Sequence, residues 1–550
     1  MVLWCVSAPY TLAARQPVRA RHAMVVTRET HATDAGVRVL EAGGNAVDAA
    51  VAVGFALAVT HPSAGNIGGG GFMLVRMANG ATDFLDFRER APRGASHDMY
   101  LDANGKPTAD SLVGYRASGI PGTVKGLEFA HRKYGKKAWK DLLAPAVQLA
   151  AGGFPVSWAQ AESLRSTAEK LGRFGDSKRI FLRDGKFYEA GEQLVQPELG
   201  TVLQRIRDHG ASDFYEGETA RMLARDMQAH GGLITLADLR DYKVIERRPL
   251  TGSYRGYTIV TAPPPSSGGV GLLQMMGVLE GTDFASKPPG SAASLHLLAE
   301  AMRRFFADRS EYLGDPDFVK VPLTQLLNTS YIAELRRSID PIRATPSAAV
   351  HPGRLTVHES AETTHYSIVD AEGNTVAVTY TLNGGYGSGV TATGLGFLLN
   401  NEMDDFAPKP GRPNLYGLIQ GEANAVAPGK TPLSSMTPSL VLQDDKLYMV
   451  VGTPGGPTII NSVLQVILNV LDYHMNMQEA VDQPRIHHQW LPDTLFVEKT
   501  VSPDTIEALK SRGYAVKVNN QIGEMAAILV DGGWLQGAAD SRTESTAKGY

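Results

Sequence analysis

Hydrophobic and polar positions alternate along residues 363–369 and predict a β-strand. An alternation with period two is typical of a strand that has one buried face. The polar residues 358–362, which come just before it, predict an exposed loop. The alternation puts Tyr366 and Ile368 on one face of the strand and His365, Ser367 and Val369 on the other.

A second strand is predicted after a short turn, in which Gly373 suits a left-handed backbone. Pairing Asp370 with Asn374 across this turn sets Thr381 opposite Thr363. A slip of one residue would turn every side chain to the other face, so the inference depends on this register. In this register, a second hydroxyl group lies beside Thr363.

The same patterns predict further elements on both sides of the hairpin. A helix ends at Gly43, and the run of Ala, Val and Gly that follows predicts a buried helix in close contact with its neighbours. The predicted helices are residues 30–41, 46–59, 270–280, 294–313, 457–471 and 502–512, and the predicted strands include 72–76, 254–260, 375–383, 447–451 and 527–530.

Composition and charge exclude several classes of protein. The chain has 550 residues, 43% of them hydrophobic, which predicts two closely packed parts with a large core. The net charge of −4 and the absence of a Lys/Arg cluster argue against a nucleic-acid or membrane-surface partner. Cys5 is the one cysteine, so an internal disulfide and a cysteine-based zinc site are excluded. The longest apolar run, 49–59, is shorter than the roughly 20 residues that span a bilayer.

We interpret the hairpin as the place where the chain cuts itself before Thr363. A hydroxyl group is a poor nucleophile until a base removes its proton, and a free α-amine titrates at about 7.7–8.0. A threonine at the start of a chain therefore carries a nucleophile and a base on one residue. On the pattern alone, residues 363–364 also fit the ordinary opening of a strand, where threonine is common.

The chain resembles the γ-glutamyltransferase family, whose members are N-terminal-nucleophile hydrolases that act on glutathione. The resemblance extends from about residue 17 to residue 550. Its motifs are Asp-Arg-Ser-Glu-Tyr-Leu-Gly-Asp-Pro at 308–316, Thr-Thr-His-Tyr-Ser-Ile-Val-Asp at 363–370 and Pro-Leu-Ser-Ser-Met at 432–436.

The resemblance implies an α+β fold, a four-layer αββα sandwich with helices outside two stacked sheets. Autocleavage between Glu362 and Thr363 would give a large subunit, 17–362, and a small catalytic subunit, 363–550, which form one αββα unit. Residues 1–16 are expected to be a leader or the remnant of a signal, although they lack a basic n-region. The family likeness implies a periplasmic or secreted protein.

The resemblance also implies roles for residues around Thr363, the nucleophile. A guanidinium fork suits a carboxylate, and carboxylates with an amide suit an ammonium group. The glutamyl head is therefore expected to lie between Arg88 at one end and acidic residues at the other. The implied roles are orientation of the nucleophile by Thr381; an oxyanion hole at Gly455 and Gly456; binding of the substrate α-carboxylate by Arg88, Ser434 and Ser435; and binding of the α-ammonium by Asn383, Glu402 and Asp405.

Two loops rich in glycine are expected near the site. Residues 65–71 precede a strand and lack the Gly-Lys-Ser/Thr of a phosphate loop, so close backbone packing is the better interpretation. Residues 410–421 resemble the lid found in one branch of the family, with Tyr416 as its gate. A plain surface loop is the alternative for this second segment.

No cofactor and no metal ion is expected. His487 and His488 are adjacent on a predicted strand and point to opposite faces, so they cannot easily share one ion. Asp315 and Asp317 lack the spacing of an EF-hand loop, which favours a scaffold role.

The implied activity is γ-glutamyl transfer through an ester with Thr363, from glutathione or a related compound to water or to an amino acid or peptide acceptor. The two fragments would form a heterodimer. A cephalosporin (glutaryl) acylase of the same fold is one alternative, although it needs no α-ammonium site. A poly-γ-glutamate-processing enzyme, expected to lack the lid, and an uncleaved homologue that binds γ-glutamyl peptides without turnover are two others.

Overall fold

The computed structural model of the protein describes residues 15–350, 363–412, 414 and 417–550. No helix in these ranges has both the length and the apolar character needed to cross a bilayer. The strands, in chain order, are β1 (Val18–Ala20), β2 (Met24–Thr27), β3 (Gly70–Arg76), β4 (Thr82–Asp86), β5 (Phe154–Pro155), β6 (Gln193–Leu194), β7 (Ile245–Arg247), β8 (Leu250–Tyr254), β9 (Tyr257–Thr261), β10 (Thr364–Val369), β11 (Thr375–Thr381), β12 (Ser439–Gln443), β13 (Lys446–Gly452), β14 (Ile486–His487), β15 (Leu495–Glu498), β16 (Val516–Asn519), β17 (Ala526–Asp531), β18 (Trp534–Ala539) and β19 (Thr546–Gly549).

The helices lie mostly between the strands in sequence and cover the outer faces of the sheets. In chain order they are α1 (Thr30–Glu41), α2 (Ala46–Thr60), α3 (Thr123–Tyr134), α4 (Trp139–Gly152), α5 (Trp158–Ser166), α6 (Ala168–Leu171), α7 (Gly175–Leu182), α8 (Pro197–His209), α9 (Ser212–Tyr215), α10 (Glu218–Ala229), α11 (Leu236–Arg240), α12 (Gly268–Glu280), α13 (Ala292–Tyr312), α14 (Leu323–Leu326), α15 (Thr329–Arg337), α16 (Thr458–Leu471), α17 (Met477–Asp482) and α18 (Pro503–Ser511).

Two seven-stranded sheets form the centre of the molecule. The hairpin sheet has the order β19-β2-β10-β11-β3-β4-β7, and the second sheet has the order β1-β18-β17-β13-β12-β9-β8. Strands β10 and β11 contact β13 across the stack, while α2 packs on the outside of the hairpin sheet and α12 and α16 pack on the outside of the second. The predicted αββα sandwich is therefore confirmed. Both sheets combine strands from before and after residue 363.

The register of the central hairpin is the predicted one. Thr364 pairs with Tyr380, and each later pair follows in step to Val369 and Thr375. The N–H of Asp370 donates to the carbonyl of Asn374 at 3.0 Å, which closes the turn as expected.

The expectation of a single buried face on β10 is wrong, because the sandwich buries both. Tyr366 and Ile368 pack in the core under the helices, whereas Val369 belongs to the core that contains the second sheet. His365 also points between the sheets, with Nδ1 2.7 Å from Oγ1 of Thr379. Burial lowers the pKa of this imidazole to about 3. Alternation alone could not show that a second sheet covers the polar face.

Helices α1 and α2 match the prediction closely. Every residue of α2 is buried, and Asn45 begins the helix with a capping box that involves Asp48. Gly43, which follows α1, has a φ of 83° and stops the helix as expected.

The strand predicted at 254–260 is instead the end of one strand and the start of another. The chain reverses at Arg255 and Gly256, whose φ angles of 47° and 86° are left-handed. This tight turn joins β8 to β9. The dipeptide Arg-Gly is a weak turn signal, and the apolar residues on both sides of it resemble one continuous strand.

Candidate active site

Thr363 lies at the entrance to β10 and is 8% exposed. Its Oγ1 is 3.4 Å from Oγ1 of Thr381, on the adjacent strand. The hydroxyl group of Thr381 accepts a hydrogen bond from the N–H of Asn383 at 2.8 Å. The backbone carbonyl of Thr381 accepts one from the side-chain amide of Asn66 at 2.9 Å. Thr381 is therefore held beside Thr363 by the hairpin register, by the backbone N–H of Asn383 and by the side chain of Asn66.

The glycine run at 65–71 packs directly against this hairpin, as predicted. A Cβ atom on Gly69 would lie 2.0 Å from the carbonyl oxygen of Thr381, and one on Gly71 would lie 2.4 Å from that of Thr379. Asn66 fixes the run by accepting the N–H of Gly69 at 2.9 Å. Asn66 was not predicted as a site residue, and the one feature of the sequence that could have indicated it is its position inside a glycine run that lacks the ending of a phosphate loop.

Gly455 and Gly456 form the turn from β13 into α16 and have φ angles of 133° and 53°. Their carbonyl groups accept the N–H groups of Thr458 and Ile459 at the start of the helix. Among hydrogen bonds between described residues, none has the amide nitrogen of either glycine as its donor. Such N–H groups before a helix carry partial positive charge and are suited to bind an oxyanion.

Arg88 and two acidic residues meet in the wall of a small cavity beside Thr363. Nη1 of Arg88 lies 2.6 Å from Oε1 of Glu402, and Nη2 lies 2.5 Å from Oδ2 of Asp405. Arg88 and Glu402 are each 1% exposed. Nε of Arg88 donates to the carbonyl of Pro432 at 3.0 Å, which fixes the plane of the guanidinium. The expectation that the arginine and the acidic residues occupy separate ends of the site is therefore wrong, since they are in direct contact.

Burial and charge act in opposite directions on this cluster. Burial opposes the charge of Arg88, but the carboxylates of Glu402 and Asp405 outweigh it, and its pKa lies above the ordinary value. Burial raises the pKa of Glu402 well above its usual range, although Arg88 partly offsets the shift. Burial also raises the pKa of Glu89 to about 8. The charge of Arg88 and hydrogen bonds from the backbone of Glu89 itself and of Gly70 partly offset this rise.

The segment that carries Ser434 and Ser435 is held against the start of α12. The carbonyl of Ser434 accepts the backbone N–H of Ser267 at 2.8 Å and its hydroxyl at 2.7 Å. Oγ of Ser435 accepts a hydrogen bond from Nη2 of Arg309 at 3.2 Å. Both serines and Arg88 line the small cavity.

Arg309 is a site residue that the sequence analysis missed. It lies near the end of α13, is 2% exposed and lines the small cavity. Its Nε donates to the hydroxyl of Ser267 at 2.9 Å, but its Nη1 has no hydrogen-bond partner in the described part of the chain. Burial lowers the pKa of this guanidinium to about 10. Its only signal was its place in the motif at 308–316, where the helical pattern indicated a scaffold.

The small cavity brings together nearly all the residues expected to bind substrate. Its volume is about 20 Å³, room for about one water molecule. Asn383 lines it too, and the side-chain amide of Asn383 donates to the carbonyl of Asn401 at 3.0 Å. The predicted residues that line it are Arg88, Thr363, Thr381, Asn383, Glu402, Asp405, Ser434, Ser435 and Gly456.

The predicted lid is described only in part. Gly411 and Gln420 are bonded at the base of the segment, and Leu418 lines the small cavity. Tyr416, the expected gate, and Glu362, the expected residue before the cut, lie outside the described residues.

The described residues contain no group of three His, Cys, Asp or Glu side chains arranged to hold a metal ion. His487 bonds Asn461 through Nδ1 at 2.7 Å and approaches Gln489 through Nε2 at 2.9 Å. His488 accepts the N–H of Trp490 at 3.0 Å. Both rings are fully buried and are held by neighbouring polar groups.

Comparisons with known proteins agree with the geometry. The model of the family described as gamma-glutamyltranspeptidase matches residues 32–550. A glutathione hydrolase proenzyme of Escherichia coli (strain K12) is 49% identical over 538 residues, which cover 97% of this chain and 93% of that protein.

Two solved structures are also similar. The match to the structure of cephalosporin acylase from Bacillus halodurans has a TM-score of 0.88 at 26% identity, and it covers 100% of this chain and 99% of the acylase chain. The match to the structure of Helicobacter pylori gamma-glutamyltranspeptidase has a TM-score of 0.58 at 45% identity, and it covers 60% of this chain and 96% of the chain in that structure.

Proposed function

The chain belongs to the gamma-glutamyltranspeptidase family, and we propose how its own residues carry out γ-glutamyl transfer. It is a gamma-glutamyltransferase and glutathione hydrolase made as a self-processing precursor. The observation that carries the assignment of residues is the pair of hydroxyl groups of Thr363 and Thr381, 3.4 Å apart, beside a small cavity lined by Arg88, Glu402 and Asp405.

The proposed first reaction is maturation. Oγ1 of Thr363 attacks the carbonyl carbon of Glu362, the peptide C–N bond breaks, and water then hydrolyses the resulting ester. The products are a fragment that ends at residue 362 and a fragment that begins with the free α-amine of Thr363. Thr381 orients the attacking hydroxyl, a role supported by the hydrogen bond that its own oxygen accepts from Asn383.

In turnover, the α-amine of Thr363 takes the proton from the hydroxyl group as the oxygen attacks the γ-carbonyl of a donor. The oxyanion is stabilised by the N–H groups of Gly455 and Gly456. The donor's amine leaves with a proton, and a γ-glutamyl ester of Thr363 remains. Water then gives glutamate, and an amino acid or peptide gives a new γ-glutamyl amide.

The glutamyl head carries its α-carboxylate and α-ammonium on one carbon, so the groups that bind them must be neighbours. We assign the carboxylate to Arg88, Ser434 and Ser435, and the ammonium to Asn383, Glu402 and Asp405. The 2.6 Å contact of Arg88 with Glu402 supports this, because a zwitterion inserted there gives each residue a new partner of opposite charge. Arg309 is proposed to position Ser435 and to add positive charge. Tyr416 keeps its proposed role as the gate.

A cephalosporin acylase is the second candidate, because the similarity to such an enzyme covers the entire chain. The buried carboxylate of Glu402 and the partly exposed one of Asp405 favour the γ-glutamyl donor, since a glutaryl group has no ammonium to pair with them. A periplasmic or secreted location is also proposed from the family likeness, and fractionation of cells that express the gene tests it.

The test compares γ-glutamyl and glutaryl anilides on the purified protein, followed by mass analysis of the small fragment during turnover. We expect release of aniline from the γ-glutamyl compound, with an increment of one γ-glutamyl group on the fragment that begins at Thr363. The Thr363→Ala variant is the control and should give neither. Faster turnover of the glutaryl compound would favour the acylase, and no turnover of either would contradict both.

A further inference from the structure

One buried amide joins the two sides of the small cavity without lining it. Asn424 is fully buried, and its Nδ2 donates to the backbone carbonyl of Asp405 at 2.6 Å. Its Oδ1 accepts the backbone N–H of Leu433 at 2.9 Å. Asp405 belongs to the proposed ammonium side of the cavity, and Leu433 immediately precedes Ser434, which belongs to the proposed carboxylate side. The side chain of Asn424 therefore links the two backbone segments that carry the two kinds of binding group.

We propose that Asn424 is a positioning residue that sets the separation between the ammonium side and the carboxylate side of the small cavity. It thereby makes the site selective for an acyl group that carries both charges on one carbon. This inference rests on the proposed function, to which it adds a residue that determines the specificity for the acyl donor. Asn424 acts through Asp405 and Leu433 and does not itself touch the substrate.

The orientation of the Asn424 amide is determined by its partners. A backbone carbonyl can only accept a hydrogen bond and a backbone N–H can only donate one, so Nδ2 must face Asp405 and Oδ1 must face Leu433. The amide also donates to Oε1 of Gln420. Aspartate and leucine have a similar shape, but neither of them can serve both backbone partners.

Gln420 holds the same carbonyl from the segment expected to form the lid. Its Nε2 donates to the carbonyl of Asp405 at 3.1 Å, so this oxygen accepts hydrogen bonds from two buried side-chain amides. The backbone carbonyl of Gln420 accepts the N–H of Gly411 at 2.9 Å. The position of Asp405 is therefore connected to the base of the segment 410–421.

The backbone around Asn424 is fixed on both sides. The buried Nζ of Lys430 donates to the carbonyls of Ala423 and Ala425 at 2.8 and 2.9 Å. The carbonyl of Asn424 accepts the N–H of Ala407 at 2.9 Å. Because the main chain is held in this way, the side chain of Asn424 starts from a fixed point and its two ends define two fixed positions.

A fixed separation gives selectivity because the glutamyl group has one of its own. Its α-carboxylate and α-ammonium are attached to the same carbon, so the two sides of a site can bind both groups only at one spacing. Arg88 is tied to the carboxylate side, since its Nε donates to the carbonyl of Pro432 at 3.0 Å. Asn424 thus determines where Asp405 lies relative to this guanidinium.

The test compares two acyl donors that differ in the α-ammonium alone, γ-glutamyl-p-nitroanilide and glutaryl-p-nitroanilide, on the processed enzyme. Asn424→Asp keeps the oxygen that accepts the N–H of Leu433 and removes the N–H groups that bind Asp405 and Gln420. We expect kcat/KM for the γ-glutamyl compound to fall about tenfold or more, as for the loss of a buried hydrogen bond, while kcat/KM for the glutaryl compound stays nearly constant. Gln420→Met removes one hydrogen bond to the carbonyl of Asp405 and should change the same ratio in the same direction by less.

Gln465→Glu is the matched control. Gln465 is a buried amide that also joins two backbone groups, the N–H and the carbonyl of Ile486, at 2.9 Å each, and it does not line the small cavity. This variant should leave the ratio of the two kcat/KM values at that of the unaltered enzyme.

Every variant should still cleave itself into two fragments, because the proposed maturation does not use the groups that bind the glutamyl head, and the fragment masses therefore report folding. An equal fall in kcat/KM for both compounds, or no fall for the γ-glutamyl compound, would overturn the inference. Failure of both Asn424→Asp and Gln420→Met to cleave would show a purely structural role and would also overturn it. If the unaltered enzyme releases no p-nitroaniline from the γ-glutamyl compound, the proposed function has failed; if it does and the ratio is the same in the variants, only this inference has failed.

Discussion

Nη1 of Arg88 and Oε1 of Glu402 lie 2.6 Å apart in a wall where each side chain is 1% exposed. A buried ion pair of this kind adds little to stability, because removing two charges from water costs much of what their attraction returns. Here the pair also connects segments far apart in sequence, since Arg88 follows β4 and Glu402 follows β11. In the proposed binding mode, the α-carboxylate of the substrate takes the place of Glu402 beside Arg88, and its α-ammonium takes the place of Arg88 beside Glu402.

The first prediction concerns the shape of this pair. Arg88→Lys keeps the charge but loses the fork that contacts Glu402, Asp405 and Pro432. We expect the KM for γ-glutamyl-p-nitroanilide to rise about ten- to a hundredfold, because a point charge cannot replace paired hydrogen bonds. Glu402→Gln keeps the shape and an acceptor oxygen, so its KM should rise less than that of Arg88→Lys. The reverse order of the two effects in steady-state kinetics would contradict the assignment.

A second prediction separates the hydroxyl of Thr381 from its volume. Thr381→Val removes the oxygen that lies 3.4 Å from Thr363 Oγ1 and that accepts the N–H of Asn383. We expect both self-cleavage and kcat to slow by about a hundredfold, a typical cost of losing a positioned polar group in catalysis. Thr381→Ser should retain most of both rates. If the valine variant cleaves at the normal rate, as followed by mass over time, the hydroxyl has no role in maturation.

The third prediction tests Arg309, which stays charged although burial opposes its charge. Arg309→Met fills a similar volume and removes a guanidinium that has one unpartnered nitrogen within the described chain. We expect the melting temperature to stay constant or rise, because an apolar replacement of a poorly satisfied buried charge is often stabilising. The KM for the γ-glutamyl donor should rise about tenfold as Ser435 loses its donor. A lower melting temperature with an unchanged KM would show a purely structural role.

A fourth prediction follows from the pKa of Glu89, raised to about 8 by burial. Between pH 5 and pH 8 the unfolded chain has lost this proton while the folded protein keeps it, so the free energy of unfolding falls as pH rises. The Glu89→Gln variant does not lose this free energy of unfolding as the pH rises. Its free energy of unfolding relative to that of the unaltered protein should therefore increase by at most about 1.4 kcal/mol per pH unit.

The measurement for Glu89 is urea unfolding at pH 5.5 and pH 8, in a Thr363→Ala background that keeps the chain in one piece. Glu192→Gln is a suitable control, because its carboxylate pairs with Arg183 on the surface and its pKa is lowered rather than raised. An equal stability difference for Glu89→Gln at the two pH values would contradict the assignment of a protonated carboxyl.

Sequence reasoning worked best where a local pattern determined the geometry. The turn between Asp370 and Asn374 fixes the hairpin register, and the register alone brings Thr381 to Thr363. The glycine run was interpretable because only a residue without a Cβ fits against the carbonyl oxygen of Thr381. The four-layer architecture was implied by the family motifs, since no single strand shows that a second sheet covers it.

The features of the site that could not be predicted from the sequence depend on contacts between distant segments. Arg309 looks like any polar residue on a helix until α13 is packed against Ser435, which is 126 positions away. The direct contact of Arg88 with Glu402 could not be predicted either, because the spacing of two residues along the chain does not give the distance between the loops that carry them. The larger cavity beside Thr363, of about 420 Å³, could not be predicted for the same reason, since its wall combines Arg28 with residues close to the C-terminus.

The central claim is that the chain cuts itself at Thr363, and the most direct test is the intact mass of the purified protein under denaturing conditions. We expect two species in equal amounts, the smaller with the mass of residues 363–550 and with Thr363 at its start. The Thr363→Ala variant should remain one species. A single full-length species of the unaltered protein after prolonged incubation would contradict self-processing, and with it the role of the α-amine of Thr363 as the base.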